Sequence, residues 1–573
     1  MIEPGLEAVS TLPSLRSLRP RAVSGGAIVG WMVAGFVALA LWCWSSWGST
    51  GWPIGSFWWD ELALAGAAQA IRSGLVPTVD FWAPFVLPLY LKQWAMAWVG
   101  AGGAFVVESL VQGALVLLLF WWLVGRERQP WLVYGVGALA VLGAVAPFNL
   151  GSATEAELGT AVAACAYNRL GGAVLSLVML LPVIRRDAGH ERRLVWWLAT
   201  TFVLATLLKI TVLQIAWALV FLRAVLEPKG GWWTLLLQAT LAAAVVLGAV
   251  AWLGGGAQGY VSALQALSEV RMAYLREHWG SLVVYLVFTQ RFPLALLLMC
   301  ALIVIGRAHL VGQSWLRSVL WYFAAGGATC AYTTTNWGDH GLMPATAAMC
   351  ALLLTGERAA SGGVMPESKF RAARMLQFSG HGLLWGTLAL YLAVMAYWTW
   401  SLHARRAEVG VMHLPLSSGL FSRNYVIEPP AWEKRPDMLA ADLPIKMVNP
   451  GVYASYVEGL EGAYAYLDQH VPDRGTSVYA LDFPAYVFSL MGGYRVPRHS
   501  YPWMLFGHEV TIDHHPDAEA LLSDVDVLMV PKCSLSEGNR KWLYPIYRRH
   551  VEARWHLAAS VRCWDVYRRR SVP

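Results

Sequence analysis

Acidic side chains are rare in the first part of this sequence, and two of them stand side by side. Asp60 and Glu61 follow an apolar run in FWWDELALAG. A carboxylate at such a position can act as a general base that takes a proton from a reacting hydroxyl group. Electrostatics gives an alternative, because acidic residues are favourable in the first turn of a helix. The pair is therefore a candidate catalytic site with a structural alternative.

Two further groups of polar residues lie between apolar runs and suggest contact with a polar substrate. Asp80 stands later in the same segment as the acidic pair, and Asn336, Asp339 and His340 stand together in TTTNWGDHGLMP. These four residues are candidates for binding an acceptor or a sugar. A plain Gly/Asp turn explains the second group equally well.

A second acidic segment is NLGSATEAELGT, in which Glu155 and Glu157 are two residues apart. Carboxylates between apolar runs are candidates for a functional role at the membrane surface. A helix start is the competing interpretation, because Ser152 or Thr154 could cap a helix whose first turn then contains the glutamates.

Two cations stand at the ends of apolar runs, where a phosphate group at a membrane surface would lie. Arg169 follows Tyr167 and Asn168, and Lys209 separates two short apolar runs in ATLLKITVLQ. An ammonium or guanidinium group there can bind a phosphate and stabilise it as a leaving group. The alternative is a cation that only extends its charge to the membrane surface.

The amino-acid composition indicates which class of protein positions these residues. Of 573 residues, 57% are apolar, only 14% are charged and 31 are tryptophan. A soluble protein carries about 25% charged residues, and tryptophan is enriched at membrane–water interfaces. The sequence therefore predicts a membrane protein with several spans and excludes an ordinary soluble enzyme. The net charge of +7 does not indicate nucleic acid binding, because the basic residues follow the loops.

About 11 apolar runs approach the length that crosses a bilayer. The predicted spans are 26–48, 104–125, 131–147, 169–184, 194–208, 212–226, 232–253, 288–306, 315–333, 341–356 and 379–401. Segment 84–100 contains prolines and Lys92, and we predict that it lies in the membrane interface. With the N-terminus in the cytoplasm, this arrangement places most Lys and Arg residues of the loops on the cytoplasmic side, as the positive-inside rule requires.

The chain divides into three parts on this basis. Residues 1–25 form a cytoplasmic tail, residues 26–402 a transmembrane domain, and residues 403–573, which hold more than half of the 36 carboxylates, a domain on the outer side. Helix-like and strand-like stretches alternate in this last part, which predicts an α/β domain. Cys533 and Cys563 each lie close to a strand-like run, so a disulfide is reasonable if these strands pair in an oxidising compartment.

The first predicted outer loop resembles that of the GT-C glycosyltransferases, a superfamily of membrane enzymes. The shared features are the Asp60-Glu61 pair, a short helix, Gly74, a turn before Asp80 in which Thr78 replaces the usual Tyr, and prolines opening a second interfacial helix. The superfamily includes protein O-mannosyltransferases, lipid A aminoarabinose transferases and rhizobial galacturonosyltransferases. The acidic loop at 148–172 and the Lys-x-Thr at Lys209 are also similar to segments of these enzymes. The resemblance implies that Glu155 and Glu157 take the place of a second acid, which is usually Asp in this superfamily.

The resemblance implies a glycosyltransferase of the bacterial inner membrane that moves a sugar from a polyprenyl-phosphate donor to an envelope glycan, lipid or protein. It implies Asp60 as the base, and Lys209 with Arg169 at the donor phosphate. Some GT-C enzymes use a divalent metal ion and others do not, and the sequence contains no clear set of metal ligands. A flippase or transporter for lipid-linked sugars and a non-catalytic assembly protein remain alternatives.

Overall fold

The computed structural model describes the chain in several stretches. They are residues 53–54, 58–124, 131–145, 166–182, 190–228, 231–254, 256–269, 450–506, 509–534 and 538–570, with short pieces elsewhere. Of the predicted site residues, Glu155, Glu157, Asn336, Asp339 and His340 lie outside the described residues.

Long helices occupy the apolar runs of the first part. They are α1 (Trp58–Arg72), α2 (Val86–Val124), α3 (Trp131–Val145), α4 (Ala166–Met179), α5 (His190–Leu208), α6 (Ile210–Leu226) and α7 (Trp232–Gly254). The last six of these helices coincide with predicted spans to within a few residues, apart from the first half of α2. The predicted spans beyond residue 287 fall largely outside the described residues.

Two helical segments in the described part of the chain are long and apolar enough to cross a membrane, Val106–Val124 and Trp232–Trp252. Val133–Val145 and Ile210–Leu226 are apolar but shorter. The apolar runs therefore form helices where we predicted them, whereas the number of spans stays a prediction.

Helix α2 contains both the predicted interfacial segment and the next predicted span. Gly100 has a φ of 75° and a ψ of 174°, so the helix is interrupted there. In the first half, Tyr90, Trp94 and Trp98 are exposed by 42%, 44% and 64% and recur every fourth residue. An aromatic stripe on one face of a helix suits the membrane–water interface.

The C-terminal residues form a small mixed α/β unit. Its elements are α8 (Pro450–His470), β3 (Val478–Ala480), α9 (Val487–Gly492), α10 (Ala518–Leu522), β4 (Val527–Pro531), α11 (Tyr544–Arg554), β5 (Trp555–Val561) and β6 (Trp564–Arg569). The sheet order is β3-β4-β6-β5; β3 and β4 are parallel and the other two pairings are antiparallel. A further two-residue ladder joins β1 (Pro53–Ile54) to β2 (Val426–Ile427).

Cys533 follows β4, and Cys563 lies in the turn between β5 and β6. Because Pro531 pairs with Trp564 across the sheet, the two cysteines come together, and the structure joins them as a disulfide with a Cα–Cα distance of 5.2 Å. The bond fixes the end of the central strand to the β5–β6 hairpin.

One continuous apolar core joins the C-terminal unit to α1. It contains Leu62, Ala67 and Ala70 of the helix together with Tyr486 and Phe488 of the C-terminal unit. A Cβ atom at Gly66 would lie 2.9 Å from the Cβ of Tyr486, so the small residues of α1 permit close approach to α9. The C-terminal unit is thus packed against the loop that carries the acidic pair.

Candidate active site

The acidic pair lies at the start of α1, because this helix begins at Trp58. The second acid of the pair, Glu61, is buried, and its Oε1 accepts a hydrogen bond of 2.6 Å from Nζ of Lys92. The same ammonium lies 2.6 Å from Oε2 of Glu108. All three side chains are at most 2% exposed. The position of Glu61 therefore suits a residue that holds α1 against α2 better than one that contacts a substrate.

Lys92 and Glu108 were not predicted as site residues. Glu108 lies inside an apolar run together with Ser109 and Gln112, and all three are buried. Gln112 donates a hydrogen bond of 3.2 Å to Glu108. An ionisable residue inside a predicted span is itself a signal of a functional or paired site, and this signal was available in the sequence.

Asp60, the predicted base, lies in the first turn of the same helix, one residue before Glu61. The ion pairs of Glu61 anchor the backbone at this point. What the structure provides for Asp60 is therefore a fixed helical position at the N-terminus of α1, where the helix dipole favours a negative charge.

The turn after α1 is closed by Asp80, which was predicted to contact an acceptor. Its Oδ2 accepts a hydrogen bond of 2.8 Å from the backbone N–H of Val76, and its Oδ1 lies 3.7 Å from Nε of Arg498 in the C-terminal unit. Thr78, in the same turn, has a positive φ of 69°. The contacts of Asp80 suit a structural role in this turn.

The turn packs directly against residues 256–269, most of which form a helix. The hydroxyl of Thr78 donates a hydrogen bond of 3.1 Å to the carbonyl of Gly256. A Cβ atom at Gly259 would lie 1.7 Å from the carbonyl oxygen of Thr78. Only glycine permits this approach, so residues 256–259 and the first loop form one compact contact.

Lys209 is the single residue between α5 and α6, and its extended backbone (φ −170°, ψ 129°) interrupts the helical run. The break places its half-buried side chain beside two stacked aromatic rings. Nζ lies 5.4 Å from the ring centre of Tyr167 and 6.0 Å from that of Phe85, and these rings stack at 5.2 Å. An ammonium over aromatic rings is attracted to them by the charge distribution of the rings.

A polar group from the start of α4 completes the surroundings of this lysine. Nζ of Lys209 donates a hydrogen bond of 3.3 Å to Oδ1 of Asn168, and the carbonyl of Asn168 accepts one of 2.7 Å from the hydroxyl of Tyr332. The next residue, Arg169, is only 5% exposed. A cation that merely extends to the membrane surface would be exposed, so burial speaks against that alternative for Arg169. Lys209 and Arg169 are thus brought to the same end of the helices.

The C-terminal unit contains one buried acid, Asp482, that the sequence did not single out. Its carboxylate accepts hydrogen bonds from the side chains of Tyr456, Ser534 and Asn539 and from the N–H of Phe483. Burial raises the pKa of Asp482, and these hydrogen bonds oppose the rise. With four donors around it, Asp482 suits a structural role. It connects the end of β3 to α8, through Tyr456, and to the segment that follows β4, through Ser534 and Asn539.

A metal ion does not fit between the carboxylates of Glu61 and Glu108. Lys92 already occupies the space between the carboxylates of Glu61 and Glu108. Within the stretches that the structure describes, no group of three His, Cys, Asp or Glu side chains could hold a metal.

No protein-family model matches this chain, and no curated protein matches it significantly by sequence. Two solved structures are similar to it, both of ArnT from Cupriavidus metallidurans, one bound to undecaprenyl phosphate and one in the apo state. The first is 13% identical with a TM-score of 0.41, and the match covers 95% of this chain and 98% of that one. The second is 12% identical with a TM-score of 0.40, covering 94% and 98%. At this level of similarity, the function must be argued from the residues of the chain itself.

Proposed function

We propose that this chain is a membrane glycosyltransferase of the GT-C type that transfers a sugar from a polyprenyl-phosphate donor to a cell-envelope acceptor. The observation that carries the proposal is the Lys209 site. A half-buried ammonium at a helix break, bordered by aromatic rings and an amide, suits a phosphate group whose polyprenyl chain continues into the membrane.

The second support is the position of the acidic pair. Asp60 and Glu61 begin α1, α1 packs against α2, and Phe85 at the Lys209 site directly precedes α2. The segment from α1 to the start of α2 therefore carries both the candidate base and Phe85, one of the rings beside Lys209. The exposed aromatic stripe on the first half of α2 fits a loop that lies on the membrane surface.

In the proposed reaction, the acceptor hydroxyl attacks the anomeric carbon of the donor sugar. The new carbon–oxygen bond forms as the bond between that carbon and the phosphate oxygen breaks. The electron pair of the broken bond leaves with the polyprenyl phosphate. Asp60 takes the proton of the acceptor hydroxyl, and the configuration at the carbon inverts. Lys209, with Arg169, stabilises the departing phosphate.

The proposed location is the inner membrane, with a cytoplasmic N-terminus and the C-terminal unit outside. The packing of α1 against the C-terminal unit supports this arrangement, because it requires the first loop and the C-terminal residues to lie on the same side. Tyr90, Trp94 and Trp98 then lie at the outer interface.

Binding of the leaving group tests the proposal before the sugar is known. Undecaprenyl phosphate, which one of the similar structures holds, is the probe. A ligand that binds the folded state stabilises it by RT ln(1 + [L]/Kd) and so raises the unfolding temperature. Titration of the purified protein in detergent therefore gives a Kd from the rise with ligand concentration. We expect Lys209→Ala to weaken binding by about tenfold or more, because one charge-assisted contact is lost. Lys541→Ala, an exposed lysine of the C-terminal unit, is the matched control.

Equal affinities of the wild type and Lys209→Ala would remove Lys209 from the phosphate site. Positive charge would be identified as the required property by two results together: Lys209→Ala loses the affinity of the wild type for undecaprenyl phosphate, and Lys209→Arg keeps it.

A flippase is the second candidate, since the buried ions Lys92 and Glu108 are of a kind that can mark a transport path. Their mutual ion pairing and near-complete burial favour a structural cluster instead. Reconstituted liposomes separate the two functions. Movement of a fluorescent lipid-linked sugar across the bilayer, without transfer of sugar to any acceptor, would favour transport.

A further inference from the structure

The C-terminal unit and the first loop share one continuous strip of contacts. Residues 498–503 run along residues 80–85. The N–H of His499 donates to the carbonyl of Asp80 at 2.5 Å, and the N–H of Trp82 donates to the carbonyl of Ser500 at 3.0 Å. Backbone hydrogen bonds in both directions fix the register of the two segments, so the C-terminal unit holds the loop at a defined position.

Aromatic rings continue the strip towards Lys209. Trp82 stacks on Tyr501 with ring centres 4.9 Å apart. Trp503, which is 6% exposed, lies edge-on to Phe85 at 5.6 Å and to Trp82 at 6.3 Å. Phe85 thus contacts both Trp503 of the C-terminal unit and Tyr167 of α4.

The rings of Phe85 and Tyr167 are the two that border the ammonium of Lys209. Phe85 lies in the segment between the turn at Asp80 and the start of α2, with no regular element of its own. Its position is therefore set by what packs around it. A ring that Trp503 already holds in place loses no conformational entropy when a ligand binds, whereas a mobile ring must be ordered on binding.

We propose that the C-terminal unit is part of the donor-phosphate site and that Trp503 is its positioning residue. Trp503 does not contact the phosphate; it holds Phe85 against Tyr167 and so keeps the wall beside Lys209 in its binding arrangement. This inference rests on the proposed function of Lys209 as a phosphate-binding residue.

A double-mutant cycle tests the proposal with undecaprenyl phosphate as the ligand and the full chain in detergent. Trp503→Leu removes the ring contact, Lys209→Ala removes the ammonium, and Kd is measured for each variant and for the double variant. We expect Trp503→Leu to raise Kd about fivefold in the wild-type background and by less than about twofold when Lys209 is already absent, since contacts that act through a shared group are not additive. Trp503→Phe, which keeps an aromatic ring, should restore most of the affinity.

Trp542→Leu is the matched control. Trp542 is in the same unit, stacks only with Phe506 among the described ring pairs, and is 48% exposed. We expect Trp542→Leu to leave Kd unchanged. If Trp503→Leu does not fold, Phe85→Leu carries the same cycle with Lys209→Ala, because it removes the ring that lies between Trp503 and Lys209 and leaves the hydrogen-bonded strip in place.

The outcomes separate the two proposals. Equal Kd for the wild type and Lys209→Ala overturns the proposed function. A large effect of Lys209→Ala together with additive effects of Trp503→Leu, or with no effect of Trp503→Leu, leaves the phosphate site in place and overturns the role of the C-terminal unit.

Discussion

The buried ion cluster at the start of α1 yields a prediction whose size follows from the structure. Lys92 is the partner of two carboxylates, at 2.6 Å from each, and none of the three side chains is more than 2% exposed. Removal of one partner from a buried ion pair costs about 3 to 5 kcal/mol, because the remaining charge is buried without compensation. Since Lys92→Met exposes this cost at both Glu61 and Glu108, we expect a loss near the upper end, about 5 kcal/mol.

Replacing the whole cluster should behave differently from breaking it. When a buried ion group is exchanged for apolar side chains of similar volume, stability is often unchanged or higher. The triple variant Lys92→Met, Glu61→Met, Glu108→Met should therefore regain most of the stability that Lys92→Met loses. Arg371→Met is the control, because the Arg371–Glu367 pair is 76% and 77% exposed, and such a pair contributes about 0.5 kcal/mol.

The assay is denaturant-induced unfolding of the purified proteins in the same detergent, followed by tryptophan fluorescence. The expected order of stability places Lys92→Met far below the wild type, and both the triple variant and Arg371→Met close to it. If Lys92→Met were as stable as Arg371→Met, the ion cluster would not hold α1 to α2, and the explanation of how Asp60 is positioned would be wrong. The triple variant also reports on function, because it should retain the fold with Asp60 in place.

Three further predictions concern other parts of the fold. Gly259→Ala should destabilise the protein by about 1 to 3 kcal/mol and weaken donor binding, because the added Cβ would overlap the backbone of Thr78; unfolding and Kd measurements check both, and an unperturbed variant would contradict the close packing. Loss of the Cys533–Cys563 disulfide, which closes a 30-residue separation, should cost about 3 to 4 kcal/mol, visible as a lower unfolding temperature of Cys563→Ser that added reductant does not change further. Burial alone would raise the pKa of Asp524, but hydrogen bonds from arginine residues lower it below 3.8. The stabilising contribution of Asp524 should therefore be fully present above pH 3.8 and be lost as the pH falls through the lower pKa of the folded state. The stability difference between wild type and Asp524→Asn, measured from pH 7 downward, should accordingly shrink at acidic pH, and a constant difference would contradict this.

The sequence predicts the helices of the first part well because each is recorded in a local property. An apolar run of sufficient length forms a helix whose ends follow the polar residues, as in the predicted span 232–253 and the observed Trp232–Gly254. The helix break at Lys209 was also visible, since a single cation separates two apolar runs. The strand-like run close to Cys533 is β4, Val527–Pro531.

The candidate site could be predicted only in part, because its contacts join distant residues. Glu61 and Lys92 are 31 residues apart, and their pairing depends on the packing of α1 against α2. The buried Glu108 could have been singled out from its position inside an apolar run, but its partner could not. The contact between Trp503 and Phe85 has no local sequence signal at all, since it exists only once two parts of the chain have folded against each other.

The central claim is that this chain transfers a sugar and that Asp60 takes the proton from the acceptor. The most direct measurement is mass spectrometry of the envelope glycans and lipids of a strain that lacks the gene, complemented with either the wild type or Asp60→Asn. The account predicts a glycan or lipid that lacks one sugar in the deletion strain, full restoration by the wild type, and no restoration by Asp60→Asn present at the same level. An unchanged envelope in the deletion strain, or full restoration by Asp60→Asn, would contradict it.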